Sequence, residues 1–415
     1  MKILVYGINF APELTGIGKY SGEMAEWLAQ QGHEVRVVAA PPYYPDWQVA
    51  DGYRWPPYRK EHIKGCTVWR APLWVPRNPG GLKRVLHLAS FSLTSLPLMV
   101  MQWGWKPDVV LTVAPSFMCS PMGWLTARVT GATSWLHIQD FEVDVAFTMG
   151  LLKGGLARSV VRGLESAMMR RFDAVSTISN RMLALLQAKG IPAERCRLFP
   201  NWVDIDRIKP LAKASSYRQQ LGIPESAVVC LFSGSLGRKQ GLMVIPKAAQ
   251  LLSAREDIHF VICGDGVMKP ELEKARLNLD RVHLLPLQPV ERLADLLGLA
   301  DIHLLPQSPE AEDLVLPSKL TGMVSSGRAI IATCNPGSEI ASVVSQCGLV
   351  VPPEDAPALA QAIVQLAEDP QGRARMGEAS RRYAEEQIGR NAVLGKLVDD
   401  MMAFRERPAP YSAQA

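Results

Sequence analysis

Four loops in this chain have residue types and spacing that could hold an anion. The first follows the apolar strand Ile3-Leu-Val-Tyr-Gly7, runs from Ile8 to Thr15 and opens a helix at Gly16-Ile-Gly18. The second is Ser233-Gly-Ser-Leu-Gly-Arg-Lys-Gln-Gly241, where Arg238 and Lys239 stand beside the glycines. The third is Gly264-Asp-Gly266, and the fourth is Pro317-Ser-Lys319. Where a strand runs through such a turn into a helix, backbone N–H groups and the positive end of the helix dipole converge on one spot. Ser318 and Lys319 add a hydroxyl and a charge, and Gly234, Gly264 and Gly266 allow close backbone approach, so a nucleoside diphosphate suits the set. For any one of these glycines the plainer alternative is a turn, or tight packing of helix on strand.

A dinucleotide fingerprint does not fit the first loop, because Ser21 stands at the third glycine position and the approach to Gly16 is too long. The second strand, Glu34 to Ala40, ends in Ala39-Ala40-Pro41-Pro42 without the acid that would hold a ribose. A nicotinamide or flavin enzyme is therefore disfavoured. A Walker A loop is absent as well.

Strands must position these loops, and the chain supplies two sets of them. Short apolar runs at 3–7, 34–40, 108–114, 133–138 and 174–178 alternate with helical stretches. After a proline-bearing segment at 199–210 the pattern restarts, at 227–234, 258–266, 282–286, 301–306, 329–334 and 348–351. The expected fold class is α/β, with two facing Rossmann-like domains and an interdomain cleft at the carboxyl ends of the strands. Expected boundaries are 1–201 and 213–385, with a linker at 202–212 and a helix at 386–408 packing back on the first domain. That helix belongs to a long amphipathic stretch over about 377–405, followed by a frayed tail.

Charge is unevenly spread along the 415 residues: 22 basic and 14 acidic side chains precede residue 200, and 23 and 26 follow it. Eight of the basic ones fall between Arg54 and Arg84, interleaved with Trp55, Tyr58, Trp69 and Trp74. Val85 to Trp105 then has no charged residue, yet Pro97, His87 and Gln102 argue against a transmembrane span. The combination fits a segment lying on an anionic membrane surface through Lys83, Arg84 and Trp103; a buried helix beside a solvated basic loop is the alternative. No recognition motif supports nucleic-acid binding. The seven cysteines show no C-x-x-C pair and read as buried thiols of a reducing cytoplasm; Met1-Lys2 running straight into a strand leaves no visible signal peptide.

The Gly16/Gly18 loop, His137 after a strand, Pro200-Asn201 with Asp204, Ser233-Gly234, Gly264-Asp-Gly266 and the Pro-Ser-Lys helix start together resemble the retaining family 4 glycosyltransferases, over nearly the whole chain. Within that family, KILVYGINFAPELTGIGKY (2–20), APPYYPDWQV (40–49), LHIQDFEVD (136–144), FPNW (199–202), KQGL (239–242) and LPSKLT (316–321) are similar to the colanic acid branch. The resemblance implies a B-type fold of two Rossmann-like domains and no metal or other cofactor. It implies sugar transfer, with retention, from a nucleotide sugar to a lipid-linked acceptor at the inner face of the cytoplasmic membrane, in colanic acid or a related exopolysaccharide. GDP-fucose is the leading donor.

The resemblance also implies roles for single residues. His137 would contact the donor sugar near the reacting carbon, while Gly16, Gly18, Arg238, Lys239, Ser318 and Lys319 would hold the diphosphate. Asp140, Glu142 and Asp144 would bind acceptor hydroxyls or act as a base, with an exposed turn as the alternative. Two departures stand out. Ser235 and Gln240 occupy places where the family carries Arg and Lys, and Leu314 and Gly322 replace its paired glutamates, leaving Glu312 or Asp313 as the ribose contact. Asp204-Ile-Asp206 reads as structural rather than metal-binding. A sugar-nucleotide 2-epimerase of the same shape and a catalytically degenerate partner subunit are the competing functions.

Overall fold

Most of the apolar runs form strands buried on both faces, while those at 282–286 and 348–351 form half-buried strands. The computed structural model describes residues 1–13, 16–77, 81–114, 117–141, 155–310 and 317–406. The chain divides into two units, Met1–Asn201 with Leu394–Ala415, and Trp202–Val393.

Among the described residues, the first unit carries β1 (Lys2–Gly7), β2 (Glu34–Ala39), β3 (Arg59–Ile63), β4 (Cys66–Arg70), β5 (Val109–Ala114), β6 (Thr133–Ile138), β7 (Ala174–Thr177) and β8 (Cys196–Leu198). They form one sheet in the order β3-β4-β2-β1-β5-β6-β7-β8. All neighbours run parallel except the β3–β4 pair. The chain's direction across the sheet reverses between β1 and β5, and ligands of such sheets bind outside the strand ends at that point.

The basic stretch is therefore not a free surface segment, since it supplies the hairpin at the sheet's edge. Arg70, one of its eight cations, is 1% exposed. Its Nε donates to Glu61 Oε1 at 2.6 Å, one terminal nitrogen donates to the Ala40 carbonyl at 2.8 Å, and the other donates to the Ala11 carbonyl. One guanidinium thus ties β3, the end of β2 and the loop after β1 to β4.

The apolar run after the hairpin is broken into α2 (Leu82–Thr94), α3 (Leu96–Met101) and a 3₁₀ turn at Gln102–Trp105; α1 is Gly16–Gln30. The break sits at Ser95, whose buried hydroxyl is 2.7 Å from the Tyr6 hydroxyl on β1, and Pro97 falls in the first turn of α3, where its missing N–H does no harm. Phe91, Leu98, Met99 and Trp105 enter the core beside Leu4, Tyr6 and Val110. Leu82 (72% exposed), Leu93 (66%) and Met101 (60%) point outward with Val85, Leu86 and Val100. Length and composition would let Leu82–Trp105 cross a membrane, but its core-facing side and its breaks fix it as part of this unit.

The last stretch is also not one long helix. A helix at Pro370–Tyr383 passes through a π turn at Ala384–Ile388 and stops at Gly389, and a new helix runs over Arg390–Arg405. Within the first unit the latter is anchored by Arg197 to Asp400 at 2.9 Å, Arg405 to Asp108 at 2.8 Å and Phe404 edge-on to Trp135.

The second unit holds β9 (Val228–Ser233), β10 (Ile258–Cys263), β11 (Val282–Leu285), β12 (Ile302–Pro306), β13 (Ala329–Thr333) and β14 (Gly348–Val351), all parallel, in the order β11-β10-β9-β12-β13-β14. Here the reversal lies between β9 and β12. Residues 203–208 are pinned inside this unit: Val203 bridges Gly389, and Arg381 donates to the Ile205, Ile208 and Ser325 carbonyls. Asp204 Oδ1 accepts from the Asp206 and Arg207 amides, a turn-forming role. All seven cysteines are buried, and none forms a disulfide.

Removing a partner from a buried ion pair costs about 3–5 kcal/mol. Arg70→Ala is accordingly expected to lower the thermal midpoint of the first unit's unfolding markedly, while Lys60→Ala on the same hairpin changes it little. Calorimetry of the two variants checks this; equal shifts would mean that the Arg70 network adds no stability.

Candidate active site

In the second unit the loops after β9, β10 and β12 interlock at the sheet's reversal point. The Gly234 amide donates to the Cys263 carbonyl at 3.0 Å, the Leu236 amide to the Asp265 carbonyl at 2.8 Å, and the Ser308 amide to the Lys239 carbonyl at 3.1 Å. Gly264 permits this, since a Cβ there would lie 1.9 Å from the Gly234 oxygen; at Gly266 one would lie 2.6 Å from the Leu236 oxygen. These glycines are thus required by loop on loop, and the Gly234 and Leu236 amides are already committed.

The cation brought to this point is Lys319, in the first turn of the helix Ser318–Ser325. Its Nζ lies 4.9 Å from the Phe232 ring centre at the tip of β9 and donates to Gln240 Oε1. Gln240, a departure from the family pattern, therefore holds Lys319 in place. Ser318 is exposed beside it. Arg238 and Lys239 are exposed, and Arg238 lies 4.0 Å from Glu271. Lys319, the amide end of its helix and the Ser318 hydroxyl can meet a diphosphate, with Lys239 and Arg238 as outer charges.

In the first unit a buried carboxylate organises the loop after β1. Glu13 Oε1 accepts from the Tyr43 and Tyr44 amides at 3.1 and 3.0 Å, and Oε2 accepts from Asn9 Nδ2 at 3.0 Å. Gly18 is required here, because a Cβ on it would lie 2.3 Å from Glu13 Oε2. Gly18 is buried against that carboxylate, whereas Gly16 is exposed in a left-handed conformation, φ 57°. Burial raises the Glu13 pKa, against the lowering effect of the three hydrogen bonds and of Arg70. Beside this loop lies a cavity of about 210 Å³ walled by Asn9, Gly16, Tyr43, Trp47, Arg84 and Asp140, among others.

The remaining sequence-predicted residues fall as follows. His137 is 2% exposed, with Nδ1 2.9 Å from Ser176 Oγ and its ring against Phe199; burial pushes its pKa down to about 3, so it is a neutral, enclosed imidazole. Asp140 is exposed at the cavity, where desolvation raises its pKa and Arg84 opposes the shift. Lys83 is on the surface, but Arg84 belongs to the cavity wall, and Trp103 is half-buried with its N–H on Thr126 Oγ1 at 3.2 Å. Glu142, Asp144, Glu312, Asp313 and Leu314 lie outside the described residues. Sequence reasoning missed Glu13 and the cavity aromatics Tyr43 and Trp47. The motif APPYYPDWQV contained the latter, but only the fold reveals their shared wall.

Comparison with known proteins adds a class to this geometry. The chain matches the family described as Glycosyl transferase 4-like domain over residues 15–202, and that described as Glycosyl transferases group 1 over residues 227–369. The WcaI protein of Escherichia coli (strain K12), whose name assigns it to colanic acid biosynthesis as a glycosyl transferase, is 41% identical over 411 residues, 97% of this chain and 100% of that one. A GDP-mannose-dependent alpha-mannosyltransferase of Mycolicibacterium smegmatis is 26% identical over 280 residues, 66% of this chain and 65% of its own. Among solved structures, Anabaena HepE in complex with UDP superposes with a TM-score of 0.66 at 17% identity, covering 97% of this chain and 100% of that one. The chain belongs to the group 1 (family 4) glycosyltransferases, with two Rossmann-like domains of the B-type fold.

A carboxyl whose pKa is raised on folding binds its proton more tightly in the folded state, so its contribution to stability falls as pH rises above the ordinary glutamate value, about 4.3. Glu13→Gln keeps an oxygen for the two amides and loses this dependence. The variant's stability relative to the parent, from urea melts, is therefore expected to rise between about pH 4 and about pH 7. A difference independent of pH would mean that Glu13 is unshifted.

Proposed function

We propose that the chain transfers a sugar, with retention, from a nucleoside diphosphate sugar to a lipid-linked saccharide in the making of colanic acid or a related exopolysaccharide. The observation that carries the donor half is Lys319, held by Gln240 over the tip of β9 at the start of a helix. As the anomeric C–O bond to the diphosphate breaks and the acceptor oxygen bonds to that carbon, charge grows on the diphosphate. Lys319 and the helix amides stabilise this charge, and a donor phosphate oxygen takes the acceptor's proton. The end-to-end relative in E. coli supports the colanic acid role. Colanic acid contains fucose, which makes GDP-fucose the leading donor; a GDP-mannose-using relative favours the same base.

The acceptor half rests on the exposed row Leu82, Val85, Leu86 and Leu93 with Lys83. In this reading the row lies on the inner face of the cytoplasmic membrane, apolar side chains in the acyl boundary and the cation among anionic headgroups.

Incubation with membrane lipid and labelled GDP-fucose, UDP-glucose or ADP-glucose tests the reaction. Label is expected in the lipid fraction from GDP-fucose, with kcat lowered about 10²-fold in Lys319→Ala. Conversion of free nucleotide sugar without acceptor would instead establish an epimerase, and no turnover of any donor a degenerate subunit. In vesicle sedimentation, Lys83→Glu with Leu86→Ser is expected to release the protein from phosphatidylglycerol vesicles; unchanged binding would contradict the membrane reading.

A further inference from the structure

Alternate residues of a strand share one face, and near the end of β6 these are Trp135 and His137. Parallel pairing with β7 sets Trp135 beside Ala174 and His137 beside Ser176, so an indole, an imidazole and a hydroxyl meet on one side of the sheet. All three side chains are buried. The Phe404 ring, from the helix Arg390–Arg405, stands edge-on over Trp135 with centres 5.6 Å apart, and the Phe199 ring lies 4.6 Å from the imidazole.

Enclosed in this way, the polar atoms have to satisfy one another. The indole N–H can only donate, and it donates to Ser176 Oγ at 2.8 Å. His137 Nδ1 lies 2.9 Å from the same oxygen. Burial holds the imidazole neutral, so one ring nitrogen carries a hydrogen and the other a lone pair. If Nδ1 donated, Oγ would receive two hydrogens, and its own would be left without a partner among the described residues. If Nδ1 accepts, every hydrogen is used. The bonds then run from the Trp135 N–H to Ser176 Oγ and from the Ser176 O–H to His137 Nδ1, which puts the ring proton on Nε2.

We propose that Ser176 is a positioning residue for sugar transfer: with Trp135 it fixes His137 in the tautomer whose Nε2–H donates to a hydroxyl oxygen of the donor sugar. The assignment rests on the glycosyl-transfer reading above and adds two residues to it. His137 is one residue from the end of β6, beside β5, and so lies next to the point where the sheet reverses and ligands bind. As the anomeric C–O bond breaks, the carbon becomes electron-poor, and a neutral N–H can hold the sugar there without adding a positive charge. An imidazolium could not. Phe404 braces the indole from which the chain of hydrogen bonds starts.

Long-range proton–nitrogen correlation NMR of the full chain, with both ring nitrogens of histidine labelled and the His137 signal assigned by its loss in His137→Asn, reads the tautomer without substrate. The Nε2–H form is expected in the parent and in Ser176→Thr, which keeps the hydroxyl, and a mixture of both forms in Ser176→Ala. Trp135→Phe, which keeps an aromatic ring and loses the N–H, is also expected to give the mixture, and it decides the matter if Ser176→Ala fails to fold. In the lipid-transfer assay, kcat is expected to fall about tenfold in Ser176→Ala with the donor KM little changed, and to recover in Ser176→Thr. An Nδ1–H form in the parent, or a tautomer unchanged in both Ser176→Ala and Trp135→Phe, would overturn the proposal. Loss of kcat in Ser176→Ala without a change of tautomer would make Ser176 a packing residue, and a changed tautomer with unchanged kcat would remove its role in transfer; either result overturns the assignment. The two failures are separable, because an Nδ1–H parent that still transfers sugar overturns the positioning alone, whereas an Nε2–H parent that transfers from no donor overturns the transfer reading.

Discussion

A single buried guanidinium fixes the active edge of the first unit. A charge cannot be left unpaired inside a protein, so Arg70 collects the Glu61 carboxylate and the Ala40 and Ala11 carbonyls around itself. Those groups come from an edge hairpin, the end of a central strand and the loop after β1. Once they are held, Glu13 is enclosed among the Tyr43, Tyr44 and Asn9 donors, and Gly18 has to be a glycine. The cavity wall of Tyr43, Trp47, Arg84 and His87 is thus built on a charge that sequence alone suggested was at the surface.

This shows which features of the chain can be read without coordinates. Strands β1, β2, β5, β6 and β7 and all six of the second sheet were legible because continuous Val, Ile and Leu runs suit a parallel sheet, inside it or, for β11 and β14, at its edges. The hairpin was not. Arg59-Lys-Glu-His-Ile63 alternates half-buried and exposed side chains at an antiparallel edge, a pattern that charge obscures. The final helix read as continuous because its π turn and the Gly389 break leave the amphipathic pattern nearly intact.

Of the candidate site, the loops and their cations were legible and the contacts between them were not. Glycines fall in the loops after β1, β9 and β10, yet at Gly18 and Gly264 the group that excludes a side chain is a carboxylate or a carbonyl of the protein itself. Such partners are distant in sequence and carry no local signal. Lys319 was legible as a cation at a helix start. What could not be seen is that Gln240, standing where the family carries a lysine, restrains that cation at the tip of β9. The two chain positions divide one task, one supplying the charge and the other its orientation.

The central claim is that the second unit recognises a nucleotide by its diphosphate. Calorimetric titration of the full chain with GDP against GMP, and UDP against UMP, measures that preference directly. For the recognised base the diphosphate is expected to bind at least about tenfold tighter, the increment of one strong charge-assisted contact. Equal affinity for the mono- and diphosphate would contradict it.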